Sequence, residues 1–547
     1  MFCDIQNPII RGFNPDPSIC RVGDCYYIAC SSFSFFPGLP LYKSYDLCNW
    51  EHIGYALTRP QQLRLTPDRL SYGIWAPTLR YHNGKFYIIV GNWSSGEVLI
   101  VSATDPAGEW SDAVYIDGIG GDPSLFFDDD GKVYCSYSAR AADDTRGIYQ
   151  NEIDVERGVV LSERKLLWNG AAREAHAPEA SHVYKKDGMY YLLTAEGGTE
   201  HYHAVVVGRS ETVDGYYKGF RGNPILSHRH LSENYPICNI GHADIVETPQ
   251  GDWYMVVLGS RLIDGYHNDM GRETFICPMV WESRWPRPAV DTGKVEWTYP
   301  MPAGHTAHAV PEIPVRDDFD DEVLGLQWNF IGTPIDMPAR LADGCLYIKA
   351  VSERIWKTTS EIPPVDRPLY RTQPGRCLGF VGRRQQHMRF DAVCALKMQF
   401  KTGDETAGLV ILQNAYAQFR LELARDRQKN FLRLWRLKNV FPLRGDGGYP
   451  DLDITPEFSH ECLACIPWDG DEAVLKMTVR DQRHSFYAVT CESDLRLVAE
   501  DLDGSFLGSE NSPGFIGAYV GMFASSNDTE STAEAAFDWF DYREYHE

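Results

Sequence analysis

Five segments in the first half of this 547-residue chain share one design: a strand-like run, a polar turn with one glycine, and a second run rich in Tyr, Phe and Trp. They read VGDCYYIA, HNGKFYIIV, DDGKVYCSY, KDGMYYLLT and PQGDWYMVV, with glycines at Gly23, Gly84, Gly131, Gly188 and Gly251. A Gly turn between apolar runs is a β-hairpin signal. The glycines lie 61, 47, 57 and 63 residues apart, which leaves room for two more strands in each unit. Four-stranded units repeated in this way pack side by side into a ring. The chain therefore reads as all-β, opening with a five-bladed β-propeller; a β-sandwich is the competing use of the same strands.

The residues ahead of each hairpin are not those of an ordinary turn. They are Asp16 in NPDPSI, Trp75 in IWAPTL, Asp122 in GGDPSLFF, Glu179 in HAPEASHVY and His242 in GHADIV. Asp between prolines is good turn chemistry, and a repeated turn would explain one DPS. It does not explain Glu and His at matching positions. In a propeller the innermost strands line the central channel, so their starting ends gather at one mouth. Two Asp and one Glu brought together there form a kit for glycoside hydrolysis: an acid for the leaving oxygen, a carboxylate opposite, and a third carboxylate that keeps the acid protonated. The same kit also suits a cation site.

Composition narrows the partners. A formal net charge of −24 opposes nucleic acid and anionic membranes, since the protein's own field repels phosphate. Aromatic residues reach 13%, which suits both β-sheet and a sugar-binding surface. The 14 cysteines show no repeating frame, and Cys462–Cys465, the single Cys-x-x-Cys, is weak evidence for zinc. The start, MFCDIQNPII, lacks the charged region and apolar core of a signal peptide, and no run of about 18 apolar residues exists. The expectation is a cytoplasmic protein with reduced cysteines.

Taken together, NPDPS, GIWAPTLRYHNGKFY, GGDPSLFFDDDGKVY, APEASHVYKKDGMYYLLTAEGGT, GHADIVETPQGDWYMV and GRETF resemble glycoside hydrolase family 43, in the branch of β-xylosidases with a C-terminal sandwich. The resemblance implies Asp16 as general base, Glu179 as general acid, Asp122 as the residue tuning and orienting that acid, and inversion at the anomeric carbon. It implies Arg272 of GRETF as a sugar contact near the base, where a guanidinium would keep Asp16 ionised. Phe33 and Trp75 would wall the sugar pocket. His242 would lie near the channel, and the resemblance admits a calcium or other divalent ion there, although no cofactor is required.

Beyond Tyr299–Asp318, rich in Pro, Ala and His, the pattern changes to alternating runs such as AQFRLELA, FLRLWRL, VLKMTVR and AAFDWFDY. These suit an antiparallel β-sandwich of the jelly-roll kind. The expected domains are a propeller over 1–300, a linker over 301–315 and a sandwich over 316–547. In SPGFIGAYVGM, Ser512 to Met522, the resemblance implies a loop that reaches over the propeller mouth and presents Phe515, closing one side of the pocket.

The expected activity is an exo-acting, inverting β-xylosidase acting on β-1,4-xylo-oligosaccharides, with α-L-arabinofuranosidase or dual activity as the alternative. Thr78, where many members carry Asp, and Ser181, where Pro is frequent, depart from the common pattern and leave the preferred sugar open. A retaining fructan-processing propeller would carry NDPNG and RDP, and neither occurs. A sugar-binding protein without catalysis would usually have lost one of the three carboxylates. Association into homo-oligomers is compatible with a chain of this kind.

Overall fold

The computed structural model describes residues 4–546 apart from 68–69, 143, 172–176, 359–360, 362–376, 441–456, 490–494 and 512–513. Nearly every described element is a strand; the exception is one 3-10 turn at Ser505–Leu507.

Each glycine of the repeated phrase sits in a hairpin turn with φ between +61° and +89°. A Cβ at any of these five glycines would meet nothing within 4 Å, so conformation and not space demands glycine. At Asn83-Gly84 and Asp187-Gly188 both turn residues have positive φ, the type I′ geometry that matches strand twist. Around these turns five antiparallel sheets follow one another along the chain. Their first strands are Ser18–Val22, Thr78–His82, Gly121–Phe127, Glu179–Lys186 and Ile237–Glu247. These strands touch in cyclic order, first to second and onward, and the fifth returns to the first. That is a propeller. Pairing of Ile5–Gln6 with Thr298–Tyr299 brings its two chain ends together.

The channel is filled by a polar cluster to which every sheet contributes. Asp244 accepts from Ser18 Oγ at 2.7 Å and Arg80 Nη1 at 2.8 Å, and Tyr184 also donates to it. Arg80 Nη2 lies 2.9 Å from His182 Nδ1, which Ser124 Oγ approaches to 3.0 Å. Asp244 is fully buried, and the adjacent guanidinium holds its carboxyl far below the usual range against the desolvation that opposes it.

Residues 316–544 form a second unit of two stacked antiparallel sheets, one of eight strands and one of six. In Arg389–Met398 the alternate residues Phe390, Ala392, Cys394, Leu396 and Met398 are buried, as expected for a sheet wet on one face. Thr406–Asn414 is buried at every position. The reason is tertiary: Ala407, Leu409 and Ile411 face the sandwich interior, while Val410 and Leu412 join Phe13, Phe33 and Phe35 of the propeller. The strands Phe380–Arg384, Tyr519–Ser525 and Thr406–Asn414 of the six-stranded sheet are thus covered on both faces, and the domains share a core. The Pro/Ala-rich connection is held too: His305 Nε2 lies 2.9 Å from Tyr26 OH, and the His308 amide donates to Asp46. Among the described residues no helix is long and apolar enough to cross a membrane.

Candidate active site

The three carboxylates enter the mouth on distorted backbone. Asp16 and Asp122 have φ of 55° and 46°, and His242 has 48°, all in the left-handed region that costs non-glycine residues energy. Glu179 itself escapes this, but Ala177 and Ala180 beside it do not, with φ of 47° and 53°. Strand pairing slips at Gly121/Ser124, Glu179/His182 and Cys238/Gly241/Asp244, so three inner strands bulge where they reach the mouth. Bulges re-aim side chains next to functional sites.

All eight sequence-derived site residues line one cavity of about 280 Å³: Asp16, Phe33, Trp75, Asp122, Glu179, His242, Arg272 and Phe515. This is at the small end of ligand pockets (~300–1,000 Å³), enough for about one sugar ring.

Asp16 is the most tightly held. Arg272 Nη1 donates to its Oδ1 at 2.9 Å, Ser31 Oγ donates to Oδ2 at 2.5 Å, and His242 Nδ1 lies 3.5 Å from Oδ1. Burial alone would raise this carboxyl, but Arg272, His242 and Ser31 outweigh it and keep Asp16 below the usual Asp value. The alternative partner for Arg272, its neighbour Glu273, is taken by Arg261 through bonds of 2.6 and 2.9 Å. Glu273 also accepts from the Gly12 amide at 2.6 Å. From the sandwich, Arg384 Nε donates to Phe13 O at 2.7 Å. The turn that carries Asp16 is clamped by both domains.

Glu179 has the opposite environment. Burial, followed by the negative charge of Asp122, pushes it up to about 8, with Asp16 and Glu200 adding to the effect and Arg146 opposing it. Asp122 is itself raised, first by burial and also by Asp16, with His242 pulling the other way. One carboxyl held ionised and another held protonated is the pairing that acid–base chemistry at neutral pH needs.

The aromatic wall is continuous. Trp75 lies 6.1 Å from Phe33, 4.6 Å from Trp93 and 5.6 Å edge-on from Phe515. Phe33 is 2% exposed, so it serves the interdomain core as much as the cavity. Phe515 is 37% exposed. Its amide donates to Ser71 Oγ at 2.9 Å, and its carbonyl accepts from Arg272 Nη2 at 3.2 Å. Ser512 and Pro513 of the loop lie outside the described residues.

The charged groups around His242 are already paired with one another. An ion beside it would share Asp16 with the Arg272 guanidinium, and deeper in the channel Arg80 already sits on Asp244. Among the described residues no group of three or more His, Cys, Asp or Glu is placed to hold a metal.

Four polar cavity residues escaped the sequence reading: Arg146, Thr199, Glu200 and His203. Thr199 Oγ1 accepts from Arg272 Nη1 at 3.0 Å. His203 Nδ1 lies 2.9 Å from Asn239 O, and burial keeps its imidazole neutral down to about 3. Thr199 closes the EGGT of a family motif, which is a signal of sorts. Arg146 begins the third strand of its sheet, Arg146–Asp154, so blade-to-blade equivalence of inner strands does not reach it.

A propeller with ionised and protonated carboxyls facing one sugar-sized cavity, capped by a loop from a lectin-like sandwich, defines a class of carbohydrate-processing enzyme. Two family models match, the glycosyl hydrolases family 43 model over residues 5–286 and the β-xylosidase C-terminal concanavalin A-like domain over 316–543. The chain belongs to glycoside hydrolase family 43, whose members invert anomeric configuration. It is 36% identical to a xylosidase/arabinosidase of Butyrivibrio fibrisolvens across 98% of this chain and 99% of that one. It is 35% identical to a non-reducing end α-L-arabinofuranosidase of Bacteroides ovatus, across 98% and 94%. The crystal structure of a xylan β-1,4-xylosidase from Bacillus halodurans superposes with a TM-score of 0.87 at 30% identity, covering 99% of this chain and all of that one.

Proposed function

We propose that the protein is an exo-acting β-xylosidase that removes the terminal xylose from the non-reducing end of β-1,4-xylo-oligosaccharides. In this reading Asp16 is the general base: held ionised by Arg272, it takes a proton from the attacking water. Glu179 is the general acid and donates its proton to the glycosidic oxygen as that bond breaks. Asp122 keeps Glu179 protonated through its charge. Attack from the face opposite the leaving group gives the inverted anomer. Arg272 and Thr199 hold sugar hydroxyls, Phe33 and Trp75 wall the ring, and Phe515 blocks one end so that only a chain terminus enters. Residues 1–300 and 316–547 are the two domains in this reading, joined by 301–315.

The observation that carries this is the convergence of Asp16, Asp122 and Glu179 on one cavity, with Asp16 alone of the three bonded to the Arg272 guanidinium; the lowered Asp16 and the Glu179 carboxyl pushed up to about 8 agree with it. A second reading, release of α-L-arabinofuranose by the same residues, is favoured by the relatives named arabinosidase and arabinofuranosidase. Proton NMR of a fresh xylobiose digest tests both. Early α-xylose, ahead of mutarotation, is expected. Early β-xylose overturns the base assignment, and intact xylobiose with arabinofuranosides cleaved moves the second reading ahead.

A further inference from the structure

Arg146 is a cation of the cavity that the proposed reaction does not use. Its side chain lines the cavity, it is partly buried, and among the described residues its guanidinium takes part in no hydrogen bond or ion pair. Its strand neighbour Arg140, by contrast, is tied to Asp144 at 2.7 Å.

Its place within the cavity follows from the strands. The strand that begins at Arg146 touches the strand that begins at Glu179, and Ser138, paired with Ile148 of the Arg146 strand, donates to Pro178 O at 2.8 Å beside Glu179. Arg272 is bonded to Asp16 instead, with His242 next to it. Arg146 therefore lies on the acid's side, and Arg272 and His242 on the base's side; the charge of Arg146 accordingly opposes the rise in Glu179. A general acid sits against the oxygen that joins the two sugars. Charged groups beside the acid and away from the base then border the departing unit and not the sugar being attacked.

We infer that Arg146 is a specificity-determining residue of the leaving-group subsite, donating hydrogen bonds to hydroxyls of the departing sugar. This rests on the assignment of Glu179 as the acid. A guanidinium is well shaped for such bonds, because its planar fork offers five donors and no acceptor and so matches adjacent hydroxyl oxygens on a pyranose. The partly buried position makes them worth more than they would be in open water. A second consequence is electrostatic. Among the charges facing Glu179, Asp122, Asp16 and Glu200 raise its proton affinity and Arg146 alone of those named lowers it.

The test compares two leaving groups in the full-length protein. Xylobiose offers hydroxyls to Arg146; 4-nitrophenyl β-xyloside offers none in the same places and needs little proton assistance. For Arg146→Met, the ratio of kcat/KM on xylobiose to that on the aryl glycoside is expected to fall about ten- to a hundredfold, the range for losing a charge-assisted hydrogen bond. Arg146→Lys should recover part of that ratio. The alkaline limb of the xylobiose profile should move to higher pH in Arg146→Met, because a cation beside the acid has gone. An unchanged ratio, whether both activities persist or both fall together, overturns the assignment. Failure of the wild-type protein on both substrates would instead strike the proposed function itself.

Discussion

Replacing Arg272 by Met removes the cation that keeps Asp16 ionised while leaving a side chain of similar length. Two unit charges 2.9 Å apart at an effective dielectric of about 20 attract by about 6 kcal/mol. Rearrangement and water entry return much of this, and charged hydrogen bonds have net values of about 1.5–3 kcal/mol. At 1.36 kcal/mol per pKa unit, that raises the Asp16 carboxyl by about 1–2 units. The sign follows from the chemistry. In the proposed reaction Asp16 works as its anion, so activity is lost as pH falls through its folded-state pKa, which lies below the ordinary Asp value. In Arg272→Met the acid limb of kcat/KM should therefore move up by about 1–2 pH units. Loss of an oriented donor to the sugar adds a drop of about 10²–10³ at neutral pH. The assay is a pH–rate profile from the acid side to neutrality, with circular dichroism at each pH to exclude unfolding. An acid limb that stays in place while the neutral rate falls would refute the reasoning, because Arg272 would then act on substrate alone.

Two further outcomes follow from the same electrostatics. Asp122→Asn removes the largest charge raising Glu179, so the acid should lose its proton at lower pH and the alkaline limb should move down, with the acid limb little changed; an unmoved alkaline limb would count against the tuning role. Asp244→Ala leaves Arg80 buried without its carboxylate, which should cost about 3–5 kcal/mol, read as a lower urea midpoint at neutral pH. Because the Asp244 carboxyl is depressed on folding, its contribution is present above the unfolded Asp value near 3.9 and fades as pH falls further. The wild-type and variant midpoints should therefore converge in strong acid.

Much of this protein is legible in the chain because its repeat is local. A Gly turn between two aromatic strands specifies a hairpin without help from distant residues, and all five turns have the left-handed glycine that the phrase implies. Once the hairpins are equivalent, Asp16, Trp75, Asp122, Glu179 and His242 share a position by arithmetic, and a ring makes them neighbours. The family motifs added Arg272, Phe33 and Phe515, which no period identifies. Other features had no local signal. Arg146 arrives from a third strand, and Thr199, Glu200 and His203 come from the loop that follows a second strand. The unbroken burial of Thr406–Asn414 violates the alternation expected of a sandwich strand, because the propeller covers its outer face. The clamp on the Asp16 turn joins Gly12 to Glu273 and Phe13 to Arg384, contacts between residues 261 and 371 positions apart. The sequence by itself determined the strands, their turns and which carboxyl groups would meet. Tertiary structure decided their protonation, since burial and the distances between charges exist only after the blades and the sandwich have closed around them.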